Sequence, residues 1–234
     1  MLKYENVAKQ IENYIKINNL GQGDKLPSLD QMTEEFSVSK STIIKALDVL
    51  EIKGLIYQVR GSGIFVRQAQ RPGFINLSGA QGFSSDLEGI NLEGDVISLE
   101  VLKPTKKIAK ALMLDPDDEV YYLKRVRSME GLAFCLEESY FSKKHVLYLN
   151  EDIVKKSVFN YLQNDLKLTF GFADIYFKIS ELDKEEAELL DLKENDATLL
   201  TESLYYLHNG EPYNFSILRY HKDHVQFFVP SSRY

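Results

Sequence analysis

The sequence predicts an α+β fold in two domains, a small helical unit at the N-terminus and a larger one built on a largely antiparallel sheet. Three observations carry this. Apolar residues recur at helical spacing as far as Gly54. Beyond residue 75 the texture changes to runs rich in Tyr, Phe, Val and Ile, separated by turn signals. Between the two regions QAQRPGF has no periodicity and carries Pro72-Gly73, which reads as a linker. The expected division is a first domain at 1–68, a linker at 69–75 and a second domain at 76–234.

In the first domain, Tyr4 to Asn18 places Val7, Ile11, Tyr14 and Ile15 on one helical face, and the helix stops at Leu20-Gly21-Gln22-Gly23. Ser28 reads as the N-cap of a short second helix with Met32 and Phe36 on its apolar side. Ser37-Val38 is a tight turn, and Ser39 is a second N-cap. The third helix sets Ile43, Ala46, Leu47 and Leu50 in a core stripe, with Ser41, Lys45 and Asp48 opposite and Lys40 and Thr42 in its first turn. Gly54 ends it as a C′ glycine. A small hairpin follows, Leu55–Arg60 and Gly63–Arg67, too short to be stable alone.

In the second domain, Val96–Leu102, Val120–Met129, Ala133–Phe141, Thr169–Ser180, Leu199–His208, Pro212–His221 and Val225–Val229 read as strands. Glu130-Gly131 and Asn209-Gly210 are hairpin turns. Helices are expected at Lys106–Met113, Asp152–Leu166 and Lys184–Leu190.

Composition narrows the function. The 234 residues carry a net charge of −7, unevenly spread: through Arg71 there are ten Lys and Arg against eight Asp and Glu, and afterwards 18 against 27. The N-terminal third is therefore where a polyanion is tolerated. No apolar run approaches the roughly 20 residues that span a bilayer, and the start lacks the pattern of a signal peptide. The single Cys135 excludes an internal disulfide, suits a reducing cytoplasm and reads as a buried structural thiol.

Three short helices, the second and third joined by a tight turn, and then a glycine-tipped hairpin form a winged helix-turn-helix. The third helix fits the major groove of double-stranded DNA. Ser28, Ser39, Ser41 and Thr42 offer hydroxyls and helix N-terminal amides to phosphates, and Lys40 and Lys45 offer charge. At the wing, Gly61 and Gly63 flank Ser62 and allow close backbone approach, and Arg60 suits a narrow minor groove. A phosphate-cradling G-x-G-x-x-G is not supported, since Val66 holds the third position and no helix follows.

Arg125 and Arg127 alternate on one strand and so share a face. Two guanidinia together suit an anion between them, and a phosphate fits their forked donors. Glu137, in the next strand, can accept hydrogen bonds from sugar hydroxyls. The alternatives are a solvated charged face or an Arg–Glu cross-strand pair. His221 and His224 in HKDH have no third ligand at metal-binding spacing and read as a solvated turn. Glu185, Glu186 and Glu188 read as the wet face of a helix. No nucleophile–base pair stands out.

The stretch LPSLDQMTEEFSVSKSTIIKALDVLEIKGLIYQVRGSGIFV closely resembles the DNA-binding domain of GntR-type bacterial transcription regulators. YYLKRVRSMEGLAFCLEESYF, DLKLTFGFADIYF and EEAELLDL resemble the effector domain of the HutC subgroup, the UTRA domain, which is related in fold to chorismate lyase. Within the subgroup the resemblance is to regulators of sugar-utilisation operons, trehalose repressors among them. It implies a homodimer on a two-fold operator, released by a phosphorylated sugar; no cofactor and no metal are expected.

The resemblance also implies site residues. The R-x-R strand would bind the effector phosphate through Arg125 and Arg127, and Glu137, Asn214 and Tyr220 would bind the sugar. Where the family has a serine before a phenylalanine this chain has Gly82, with Ser84 close by. A tyrosine of the phosphate site is Phe172 here, with Thr169 nearby as a hydroxyl. In the helix-turn-helix, Asp30 and Ile44 stand where the family usually has arginines that face DNA, and Ile44 can instead contact a thymine methyl. A rival reading is a lyase-like enzyme with the helical domain as an interaction module.

Overall fold

The computed structural model describes residues 3–67, 74–76 and 92–231, which fall into two compact units.

In the first unit, α1 (Lys3–Ile17), α2 (Leu29–Glu35) and α3 (Lys40–Ile52) each bury one stripe. Val7, Ala8 and Ile11, Met32, and Ile43, Ala46, Leu47 and Leu50 form a single core with Ile56, Ile64 and Val66 of the hairpin. Each such side chain contributes about 1.5–3 kcal/mol on leaving water. Both expected caps form. Ser28 Oγ accepts from Gln31 N (3.3 Å) while Ser28 N donates to Gln31 Oε1 (2.8 Å), a closed capping box. Ser39 Oγ accepts from Thr42 N (3.3 Å). Gly54 takes φ +73°, the left-handed conformation that ends α3.

The hairpin β1 (Ile56–Val59) and β2 (Gly63–Val66) has more support than expected. Residues 23–26 lie along β2: Leu26 N donates to Ile64 O (2.9 Å), Val66 N to Asp24 O (2.8 Å) and Gly23 N to Val66 O (2.9 Å). A third strand-like segment thus holds a wing that two short strands alone would not. After it comes β3 (Phe74–Asn76), a strand in a stretch expected as linker.

The second unit is a six-stranded antiparallel sheet of β4 (Leu92–Leu102), β5 (Val120–Met129), β6 (Leu132–Ser142), β7 (Phe170–Glu181), β8 (Ala197–Leu207) and β9 (Pro212–Tyr220), in the order β4-β5-β6-β9-β8-β7. Four short helices cover it: α4 (Lys106–Ala111), α5 (Glu151–Val154), α6 (Val158–Asn164) and α7 (Lys184–Leu189). Tyr121, Leu123 and Phe141 pack with Val154, Val158 and Leu162 of α5 and α6. On the opposite face, Val120 and Phe215 meet Ile108 and Leu112, and Val126 and Leu136 meet Leu182, Ala187 and Leu190. Glu130 (φ +51°) and Gly131 (φ +79°) make the β5–β6 turn with both residues left-handed.

Two expectations change. The single helix expected at Asp152–Leu166 is split, because Ser157 caps a new start at α6. And the final strand, β10 (Gln226–Phe228), pairs in parallel with β3 and belongs to the first unit rather than to the sheet. There Asn76 Nδ2 donates to Lys53 O (3.2 Å), and a Cβ on Gly54 would meet Pro230 at 2.8 Å. The C-terminal end of α3 is thus covered by the last described residues of the chain.

Candidate functional site

Two groups of side chains stand out, one in each unit. In the first unit, the N-terminal turn of α3 is a knot of hydroxyls: Ser39 Oγ lies 3.0 Å from Ser41 Oγ and 2.8 Å from Thr42 Oγ1. Ser41, Ile44 and Lys45 are exposed beside it, Ile44 by 44%. Lys40 Nζ sits 3.1 Å from Asp30 Oδ1. The carboxylate that stands where the family usually has an arginine therefore partners Lys40. The pair is exposed, so water and salt screen it and it is readily exchanged. Ser28 is spent in its capping box.

At the wing, Arg60, Gly61 and Ser62 form the exposed tip, and Ser62 N donates to Val59 O (2.9 Å). Gly61 needs no room for a side chain but adopts φ +78°, which L-residues disfavour. Gly63 is needed for its φ of +129°, which L-residues rarely adopt; the Lys25 Cε that a Cβ would meet at 2.6 Å is the end of a flexible side chain and can move. That lysine was missed in the sequence. It is exposed, bridges to Phe65 and holds its ammonium 5.9 Å from that ring, so the wing carries a second cation contributed by the segment before α2. Its only sequence signal is the glycine-flanked GDK before Leu26.

In the second unit, cross-strand register places a buried polar band on one face of the sheet. Arg125 is opposite Glu137, Ser139 opposite Ser216, and Asn214 opposite Tyr205. Arg125, Arg127, Glu137, Ser139, Thr201, Ser203, Asn214 and Ser216 are all buried. Arg125 donates Nε and Nη2 to Glu137 Oε2 (2.9 and 2.8 Å) and Nη1 to the carbonyls of Val154 and Lys156, the latter at 3.0 Å. The break between α5 and α6 is what turns those carbonyls toward the guanidinium. Of the two readings of Arg125 and Glu137, the cross-strand pair is the one formed.

Arg127 stands beside that pair, its guanidinium carbon 5.7 Å from the Phe134 ring centroid. Burial and the neighbouring Arg125 pull its pKa down, and Glu137 opposes them. Burial would raise the Glu137 pKa, but Arg125, Arg127 and the Ser139 hydroxyl outweigh it and hold the carboxyl ionised, below its usual range.

The hydroxyl chain behind the pair is short of protons. Ser139 Oγ gives its proton to Glu137 Oε1 (2.8 Å). Ser216 Oγ lies 2.8 Å from both Ser139 Oγ and Asn214 Oδ1, and has one proton for two acceptors. Asn214 Nδ2 donates to Tyr140 O (3.2 Å). Tyr205, raised by burial to a pKa of about 12, hydrogen-bonds Ser203, and Tyr220 hydrogen-bonds Thr201. Beside them Phe159, Phe170, Tyr205 and Tyr213 form an aromatic cluster, with the Tyr213 hydroxyl buried and without a hydrogen-bond partner among the described residues.

The expected effector residues are thus brought together only in part. Arg125, Arg127, Glu137, Asn214 and Tyr220 share the face. Thr169 and Phe172 do not join them: Phe172 stacks on Tyr206 (centroids 4.4 Å apart), half exposed on the edge strand β7, and Thr169 is exposed, using its carbonyl to accept from His208 N. Ser84 lies outside the described residues. Ser139, Thr201, Ser203 and Ser216 were missed, though small polar residues at alternate positions in apolar strands mark them.

Other expectations have simple resolutions. Cys135 is fully buried, and burial lifts its pKa to about 12, which keeps it an unreactive thiol. His221 and His224 stack face to face (3.5 Å, 4°), and the backbone uses a nitrogen of each: Asp223 N donates to His221 Nδ1 (3.2 Å), and His224 Nδ1 donates to Ala133 O (2.7 Å). Glu185 and Glu186 are not merely solvated. They pair with Lys124 (2.5 Å) and Arg219 (2.6 Å), tying α7 to the sheet. Among the described residues no helix is long and apolar enough to cross a membrane.

Comparison with known proteins follows the same division. Residues 3–66 match the family described as bacterial regulatory proteins, gntR family, and residues 87–226 match the UTRA domain. The HTH-type transcriptional regulator YydK of Bacillus subtilis, named as uncharacterized, is 46% identical over 234 residues, covering 100% of this chain and 99% of its own. Its crystal structure superposes with a TM-score of 0.84, covering 99% of this chain and 100% of that one. The B. subtilis regulator GmuR is 30% identical across 99% of this chain and 98% of its own. The effector-binding domain of the B. subtilis trehalose repressor TreR superposes with a TM-score of 0.55 at 25% identity, covering 60% of this chain and 98% of that one.

Proposed function

The chain belongs to the gntR family of bacterial regulatory proteins and carries a UTRA effector domain, and from that membership we propose that it is a cytoplasmic, homodimeric repressor of a sugar-utilisation operon, released from DNA by a phosphorylated sugar. The coarser part is established by the family: it is a ligand-responsive, DNA-binding transcription regulator, not an enzyme.

The observation that carries the finer part is the polar band around Arg125, Arg127 and Glu137. Arg127 is a second buried guanidinium beside the Arg125–Glu137 pair, and a phosphate or similar anion is the ligand chemistry that two neighbouring guanidinia favour. In the Ser139–Ser216–Asn214 chain two acceptors share the single Ser216 proton among the described residues, and a sugar hydroxyl can supply another. The aromatic cluster beside it gives the apolar face of a sugar ring a surface to lie on. One of the relatives is by name a trehalose repressor, which fits a sugar-linked ligand. On the DNA side, Ser39, Lys40, Ser41, Thr42, Ile44 and Lys45 form the groove-reading surface, and Arg60 with Lys25 flanks it from the wing.

Release requires that the ligand favour one arrangement of the dimer over another, because a ligand that binds both equally shifts nothing. The test is a thermal-shift screen of hexose and disaccharide phosphates, with hits added to the protein bound to its own upstream DNA. A hit that raises the melting temperature and releases the DNA supports the proposal. Binding by the unphosphorylated sugars alone, or no release, contradicts it.

A further inference from the structure

β7 is the outermost strand of the six-stranded sheet, and among the described residues it pairs with β8 alone. It is 12 residues long, and Phe172, Tyr176, Phe177 and Ile179 are 53%, 68%, 48% and 75% exposed. Free edges are usually blunted by charge, proline or a bulge, because a long apolar edge invites another strand. The opposite edge, β4, is broken by a bulge between Val96 and Ser98. In β7 the irregularity lies near its start, between Phe170 and Ala173, and the run from Ala173 to Glu181 pairs regularly with β8. That run holds two charges before its final residue, Asp174 and Lys178.

We propose that β7 pairs antiparallel with β7 of a second copy of this chain, about a two-fold axis through Tyr176, so that the sheet runs on across the dimer. The inference rests on the homodimeric reading above and goes beyond it in naming the surface and the register.

Face and charge together select the register. A two-fold axis perpendicular to the sheet keeps every side chain on its own face, so the axis must pass through a residue. An axis at Asp174 or at Lys178 sets like charges opposite each other, which is destabilising. At Ile175 the charges face the partner's Tyr176 and the partner's Phe172, and at Phe177 they face the partner's Ser180 and the partner's Tyr176. Only an axis at Tyr176 sets Asp174 opposite the partner's Lys178, twice by symmetry. The same register puts Ile175 opposite the partner's Phe177 and Ala173 opposite the partner's Ile179, which fills the other face with β-branched and aromatic cross-strand pairs.

The experiment uses the full chain, with cysteine scanning and charge exchange. In the proposed register the two Tyr176 Cβ atoms lie about 4.5–5.5 Å apart, close enough for a disulfide after a small shift. The two Lys178 positions are separated by about 13 Å of strand. Under mild oxidation Tyr176→Cys is expected to give a covalent dimer and Lys178→Cys none, while the buried Cys135 stays reduced. In sedimentation equilibrium at low salt, Asp174→Lys and Lys178→Asp should each weaken the dimer at least tenfold, and the double exchange should restore it. A dimeric wild type with no Tyr176→Cys cross-link, or with a Lys178→Cys cross-link instead, overturns the register and leaves the dimer standing. A monomeric wild type overturns both.

Discussion

Arg125 and Arg127 look equivalent in the sequence, yet the protein uses them differently. Arg125 is fixed by Glu137 and by two carbonyls of the α5–α6 break. Removing one member of a buried ion pair leaves an uncompensated charge, at a cost of about 3–5 kcal/mol. Arg125→Ala is therefore expected to destabilise the second unit by about that much in urea unfolding. In the first unit, Asp30 diverts Lys40. Asp30→Asn removes a negative charge from beside the groove-reading helix and should raise operator affinity, by roughly two- to fivefold given how weak exposed ion pairs are, with the gain shrinking as salt is added. Fluorescence anisotropy across a salt series measures both. His221 offers a pH test. Burial and then His224 hold its pKa below 6.5, and its Nδ1 must stay unprotonated to accept from Asp223 N. The unfolded chain thus takes up a proton at higher pH than the folded one, so the contribution is present above about pH 6.5 and is lost as pH falls through the folded value. The urea midpoint should drop between pH 7.5 and 5.5, and His221→Gln should flatten part of that drop. A residual slope is expected from His145, whose pKa burial also lowers.

At the scale of elements, the helices of the first unit and the long strands of the second were legible because each answers to a local rule. Val120–Met129 shows the alternation of a strand packed on both sides, and Ser28, Ser39 and Gly54 punctuate helices by local hydrogen bonding and left-handed backbone. What was not legible depends on residues far away. The split at Ser157 accompanies the capture of Arg125 by carbonyls of Val154 and Lys156, a contact spanning about thirty positions. β3 is three residues long, and its partner lies some 150 residues later, so no window of sequence announces it. The wing's third segment was hidden for the same reason: Asp24 and Leu26 are held by hydrogen bonds to β2, not by any strand propensity of their own. Gly54 joins the two kinds of cause. Its positive φ alone costs a substituted residue about 1–2 kcal/mol, and Pro230 adds a contact at 2.8 Å. Gly54→Ala should lower the stability of the first unit by at least that amount, and deleting residues 230–234 in the same background should recover part of the loss, as read by denaturant unfolding of the full chain.

For the molecule as a whole, composition and resemblance made the class of protein plain before any coordinates: a slightly basic N-terminal third joined to an acidic β-rich remainder. The second domain was expected to run to residue 234, whereas the last strand of the chain pairs with β3 in the first unit and covers the end of α3. The chain leaving β9, the strand that holds Asn214 and Tyr220, is therefore the same chain that ten residues later packs at Gly54 at the end of α3. A ligand that reorders the Ser139–Ser216–Asn214 hydrogen bonds acts on a strand with a short covalent route to the DNA-binding unit. The central claim, that the buried Arg127 senses a phosphorylated ligand and so controls operator binding, has one direct measurement: operator affinity of wild type and Arg127→Ala, each with and without the sugar phosphate that gives the largest thermal shift. The account predicts that the ligand weakens operator binding by wild type at least tenfold, and that Arg127→Ala binds the operator as tightly as wild type but no longer responds at that concentration. An Arg127→Ala protein released by the same ligand at the same concentration as wild type would contradict it.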